Sequence, residues 1–184
     1  MKPNLIAELQ QKQQKLDSFI QEKKQITDSD SPASLRRLKI ALMVEIGELA
    51  NEIKSFKHWK TDKKIDQVKA REELIDSLHF FLSLSNKYEI DFSPYARYDY
   101  NAEYEWEERD WNEVLIEFFN SASIFLLDDD QREYGNEITE DDFYYWLEVF
   151  EEVAQRLGLT TEEEIKQAYL VKNKINYERQ ENNY

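Results

Sequence analysis

The chain has 184 residues, the size of one domain or of one domain with a large insertion. Its 24 Lys+Arg against 39 Asp+Glu give a formal charge of −15, which argues against a general nucleic-acid surface, where a basic patch must displace phosphate counterions. With 41% hydrophobic and 14% aromatic residues it is too apolar for a disordered acidic chain, three Gly and three Pro are few for a turn-rich β fold, and the absence of Cys excludes disulfides and thiolate chemistry.

The charge is divided unevenly. Residues 1–88 carry 16 basic and 13 acidic residues, residues 89–152 carry 3 and 21, and residues 153–184 carry 5 of each. The acidic middle also holds 16 of the 25 aromatics, among them Trp106, Trp111 and Trp146, so it is expected to fold. No signal peptide and no apolar run long enough to span a bilayer is present. A soluble, intracellular (cytoplasmic) protein without membrane contact is expected.

The periodicity is helical almost throughout. Leu5, Leu9, Leu16, Phe19 and Ile20 mark a first amphipathic helix. Ser31-Pro32 starts a second, with Leu35, Leu38, Leu42, Leu49 and Phe56 as its stripe. A third carries Leu74, Ile75, Leu78, Phe81 and Leu82, with Ser93-Pro94 as the stop. Asp110 with Glu113 reads as a capping box for a fourth helix, carrying Trp111, Val114, Leu115 and Phe118. Another is predicted from Thr139 through Phe143, Trp146, Leu147, Phe150 and Val153, with Gly158 as its C′ residue. Thr161 and Glu164 cap a last one, carrying Ile165, Ala168, Tyr169 and Ile175. The expectation is an all-α bundle of five or six helices in one domain. Residues 1–88 and 153–184 would form its core, and 89–152 an acidic, aromatic-rich helical insertion.

Two acidic pairs stand where apolar residues are expected. Glu45 and Glu52 continue the Leu stripe of the second helix, and Glu48 shares the face of Glu45. On the third helix Glu73 and Asp76 repeat the three-residue spacing, with Phe80 continuing their face opposite the Ile75/Leu78/Leu82 side. A helix apolar on both sides is central, so its acids point inward. Four converging carboxylates repel, and protons or cations must compensate. Carboxylates one turn apart on two helices suit a hard cation such as Mg²⁺. A ferritin-like di-iron site would need two Glu-x-x-His units, and only His58 and His79 exist.

These residues carry a resemblance. Glu45 to Glu52 (EIGELANE), Phe56 to Lys60 (FKHWK) and Glu72 to Leu84 (EELIDSLHFFLSL) resemble the dimeric all-α dUTPases, of the all-α nucleoside triphosphate pyrophosphatase (MazG-like) superfamily. Gln13 to Asp17 (QQKLD) and Tyr169 to Tyr184 (YLVKNKINYERQENNY) are similar to its N- and C-terminal elements. Asn183 stands where the family usually has Gly, and Asp17 where many members have Asn.

The resemblance implies hydrolysis of dUTP, and in many members of dUDP, to dUMP by a homodimer. It implies that Glu45, Glu48, Glu73 and Asp76 hold two or three Mg²⁺, with Glu45 as general base. No Gly-rich phosphate loop is present, so cations must bind the phosphates. Lys172, Asn176 and Arg179 form one polar face of the last helix for that role, with Lys57 and Lys60 as lesser candidates. Trp59 and Phe80 would wall the base pocket, and Gln14, Asp17 and His79 would contact the base or sugar. Two rival readings stay open. One is a dCTP or broad house-cleaning pyrophosphatase of the same fold. The other is an acidic helical binding module, whose protein partner would engage segment 89–152.

Overall fold

Pro3 and Pro32 each stand in the first turn of a helix, where a missing N–H is no loss and the fixed φ is already helical. In the computed structural model, which describes residues 1–95, 106–126 and 138–182, six helices follow in order. They are α1 (Pro3–Lys23), α2 (Pro32–Ile53), α3 (Gln67–Lys87), α4 (Trp111–Ser123), α5 (Glu140–Arg156) and α6 (Glu162–Glu181). No strand occurs among the described residues, so the fold is all-α, as expected. No described helix is long and apolar enough to cross a membrane. Parts of the acidic segment, 96–105 and 127–137, and the terminal Asn183 and Tyr184 lie outside the described residues.

Local chemistry sets the helix ends. Ser31 accepts a bond from the Ser34 N–H, and Asp66 accepts one from the Lys69 N–H at the start of α3. Asp110 and Glu113 form the reciprocal capping box of α4, and Thr161 and Glu164 that of α6. At the end of α5, Gly158 takes φ +77°, and the Leu159 and Gly158 N–H groups bond the Ala154 and Gln155 carbonyls in a Schellman closure. Two ends differ from expectation. Helix α2 stops at Ile53, because Lys54 turns left-handed at φ 62°, so Phe56 is off the helix and half exposed. Helix α3 stops at Lys87, well before Ser93-Pro94, and Glu89 takes φ 54° while the Ile90 N–H bonds the Ser85 carbonyl.

Helix α3 is the axis of the bundle. It packs against α1, α2, α5 and α6, most extensively against α2. Its apolar side meets the aromatics of the acidic segment: Phe81 stacks on Trp146 with ring centroids 4.0 Å apart, and Trp146 in turn meets Phe118 and Phe150. Phe118, Phe125, Phe143, Trp146 and Phe150 are wholly buried. Each such side chain contributes roughly 1.5–3 kcal/mol of apolar burial. The side of α3 away from this cluster, with α1, α2 and α6 around it, is left to polar residues.

Candidate functional site

The inward acids converge. Glu45 of α2 and Glu73 and Asp76 of α3 bring one carboxylate oxygen each to within 4.8 Å of one another. All three are half-buried. Burial, reinforced by Asp76, Glu48 and Glu73, pushes the Glu45 carboxyl up to about 7. Burial also raises Glu73, with Glu48 and Asp76 adding to the effect. Glu48 is itself exposed, but its charge reaches both neighbours. Asp76 is raised by burial against the opposing pull of Lys172, whose Nζ lies 2.6 Å from Asp76 Oδ2. Such a cluster retains its protons or gains a cation. The donors are oxygen only and half-buried, which fits a hard divalent ion and not a thiolate- or imidazole-seeking one.

A cavity of about 350 Å³ opens beside these acids. It follows α3 from Asp76 through His79, Phe80 and Ser83 to Lys87, about 16 Å at the rise of an α-helix. Glu45 and Leu38 line it from α2, Gln13, Leu16 and Asp17 from α1, and Asn176 and Arg179 from α6. A carboxylate cluster, an aromatic face and an amide-rich far wall thus share one elongated space of small-ligand size.

The far wall is a buried hydrogen-bond network centred on Gln13. Its Nε2 donates to Asp17 at 2.8 Å and to Ser83 Oγ at 3.1 Å. Its Oε1 accepts from the Tyr169 hydroxyl at 2.9 Å and lies 2.7 Å from His79 Nδ1. An amide oxygen cannot donate, so His79 carries its proton on Nδ1 and Nε2 is left as an acceptor. That Nε2 is buried without a hydrogen-bond partner among the described residues. Burial, with the Lys172 charge, lowers His79 to about 3, so the ring is neutral, and it stacks on Tyr169 at 4.3 Å. Burial also raises the Asp17 carboxyl, against the bonds from Ser83 and Gln13.

The structure therefore brings together Glu45, Glu73, Asp76 and Lys172 at one place, and Asp17, His79, Phe80, Asn176 and Arg179 around the adjoining cavity. It does not bring in five other expected residues, one of them Glu48, which is exposed and lies outside the three-carboxylate cluster. Gln14 is exposed and does not line the cavity. Lys57 is buried, and its ammonium bonds the Asn51 backbone oxygen at 2.9 Å. Lys60 is exposed on the α2–α3 loop. Trp59 is 65% exposed, edge-on to Phe56 and His58. The left-handed turn at Lys54 carries this loop off the α2 axis. Gln13, Ser83 and Tyr169 were not anticipated. Gln13 had a legible signal, since it falls on the Leu9–Leu16–Ile20 stripe of α1 as Glu45 does on α2. Ser83 continues the face of Asp76 and His79 by whole helical turns.

No curated protein sequence matches the chain. A family model described as dUTPase matches residues 5–184, nearly the whole length and including the acidic middle. The chain belongs to the dUTPase family and is a dUTP diphosphatase.

Proposed function

We propose that dUTP lies along α3, with its triphosphate at Glu45, Glu73 and Asp76 and its uracil toward Gln13 and Asp17. The observation that carries this reading is the convergence of three carboxylates at a cavity lined elsewhere by amides, an aromatic ring and cationic groups. Glu45, Glu48, Glu73 and Asp76 are assigned to hold two or three Mg²⁺, which when bound would neutralise the triphosphate and acidify a water. Water adds to phosphorus, the bond between the α- and β-phosphates breaks, and pyrophosphate leaves. Glu45 takes the proton of the attacking water, being the most apolar-flanked of the acids. Lys172, Asn176 and Arg179 bind phosphate oxygens from α6. Phe80 covers one face of the nucleoside. Gln13, Asp17 and the acceptor Nε2 of His79 offer directed partners for the base or sugar, and such contacts are what separate uracil from cytosine. The same contacts serve dUDP.

We further propose a homodimer through the outer face of α2. Ile40 and Val44 are half exposed on it, beside Ala33, Ala41 and Gly47, and a groove continues the face toward Phe56 and His58. A Cβ at Gly47 would meet nothing within 4 Å among the described residues, which leaves room for another backbone to approach closely there. Trp59 and Lys60, outside their own cavity, are then available to the partner's.

The test is pyrophosphate release from dUTP, dCTP, dTTP and ATP, each with Mg²⁺ and with chelator. dUTP should be hydrolysed fastest and only with the metal. Faster turnover of dCTP would overturn the placement of the uracil contacts, and undiminished turnover in chelator the role given to the carboxylates.

A further inference from the structure

The acidic cluster already contains a cation that belongs to the chain. Lys172 comes from α6, far from α2 and α3 in sequence, and its ammonium sits 2.6 Å from Asp76 Oδ2 with both side chains largely buried. Its charge acts on all three converging acids: it lowers Glu45, Glu73 and Asp76 against the burial that raises them. A contact of this kind holds an Asp76 oxygen that a divalent ion would also use. A divalent ion held by these acids would also be repelled by the ammonium charge, strongly so in a half-buried site. Metal alone must therefore displace the ammonium or bind against it. A triphosphate changes the balance, because its oxygens give the ammonium a second anionic partner.

We infer that Lys172 is a resident counter-cation that competes with the metal for Asp76 and passes to a substrate phosphate when nucleotide arrives. The inference rests on the assignment of Asp76 as a metal ligand under the proposed function. It makes Lys172 a positioning residue with two opposite effects. It weakens binding of metal alone and strengthens binding of the nucleotide, so that metal and nucleotide bind cooperatively. A lysine that served only as a phosphate contact would leave metal affinity in the nucleotide-free protein untouched.

Titration calorimetry of Mg²⁺ into the full-length, nucleotide-free protein reads this directly. Lys172→Met and Lys172→Gln should bind Mg²⁺ about tenfold more tightly than wild type, within the usual range of coupling between sites. Lys172→Arg, which keeps the charge, should stay near wild type. Affinity for a non-hydrolysable α,β-imido dUTP should move the other way in the Met and Gln variants. Unchanged or weaker Mg²⁺ binding in both neutral variants overturns the inference while leaving the metal site standing. Absence of Mg²⁺ binding in the wild type overturns both. Should the neutral variants not fold, the side-chain amine resonance of Lys172 in the wild type decides: it must shift as Mg²⁺ is added without nucleotide, and a fixed resonance overturns the competition.

Discussion

At the scale of single residues, Glu45 shows most plainly the tension between folding and chemistry. Its carboxyl is pushed up to about 7 by burial and by Asp76, Glu48 and Glu73. The sign of the stability effect follows from linkage. Between about pH 4.5 and 7 the folded, metal-free protein holds a proton on Glu45 that the unfolded chain has lost. Stability contributed here is present at low pH and lost as pH rises through 7. His79 acts in the opposite sense, because its folded value of about 3 lies below the usual 6.5. Its share is present above pH 6.5 and lost as pH falls toward 3. The two oppose one another in mildly acidic solution, so a single melting curve does not separate them. Glu45→Gln does. In chelator the variant should match wild type near pH 4.5 and exceed it by roughly 1–2 kcal/mol at pH 8, allowing for screening at a half-buried site. Its hydrolysis of dUTP should fall by about 10²-fold or more. Denaturant melts across pH check the first, and pyrophosphate release the second. A variant no more stable than wild type at pH 8 would show that Glu45 does not carry the strain assigned to it.

At the scale of helices, the ends are as informative as the faces. Gly158 closes α5 at φ +77°, and a Cβ there would lie 2.6 Å from Arg71 Nη2. Arg71 in turn donates from Nε to the Leu157 carbonyl at 2.6 Å, tying α3 to the α5–α6 turn. Gly158→Ala should destabilise by about 1–2 kcal/mol from the left-handed backbone alone. Nη2 is rigid with Nε in the planar guanidinium, so yielding to the Cβ also strains the bond to Leu157, and a thermal melt of the variant should show a loss at or above that value. This closure was legible because glycine, a helical stripe before it and a capping box after it agree. So were the caps at Asp110 and Thr161, where a side chain bonds its own backbone neighbours. The end of α2 was not. Lys54 is a poor left-handed residue, and its turn is accompanied by loop contacts that helical periodicity does not encode: Lys54 Nζ to the Lys64 carbonyl, and Lys57 to Asn51. The site divides in the same way. Glu45, Glu73 and Asp76 were legible because an acid in an apolar stripe breaks a periodic pattern. Gln13 and Gln14 stand about 100° apart around the helix, and which of the two lines the cavity is not readable from a Gln-Gln pair. The Lys172–Asp76 pair joins α6 to α3, and periodicity within one helix carries no information about what faces it.

At the scale of the whole molecule, the acidic middle proves to be two-sided. Its described aromatics enter the same core cluster as α3, while Glu107, Glu108, Asp110 and Glu113 remain exposed. The formal charge of −15 therefore says little about the ligand, since the cavity proposed for the nucleotide is lined from α1, α2, α3 and α6. The same division between faces bears on assembly. The outer face of α2 carries Ile40 at 57% and Val44 at 48% exposure, with Arg36 and Arg37 toward one end and Glu48 and Asn51 toward the other. An apolar centre with a polar border is the composition of an interface, and the 22 residues of α2 span about 33 Å. Two such faces paired about a two-fold axis, with the Phe56 and Ile116 groove alongside, can exceed the roughly 1,000 Å² that a specific interface needs. Val44 is 48% exposed and is not among the buried core residues, so Val44→Glu isolates the assembly. The variant should keep wild-type helicity by circular dichroism, run as a monomer where the wild type runs as a dimer in light scattering, and lose dUTP turnover in proportion. A wild type that is monomeric at micromolar concentration would remove the dimer. A monomeric Val44→Glu with full turnover would keep the dimer but separate it from the chemistry, leaving Trp59 and Lys60 without a role at the partner's cavity.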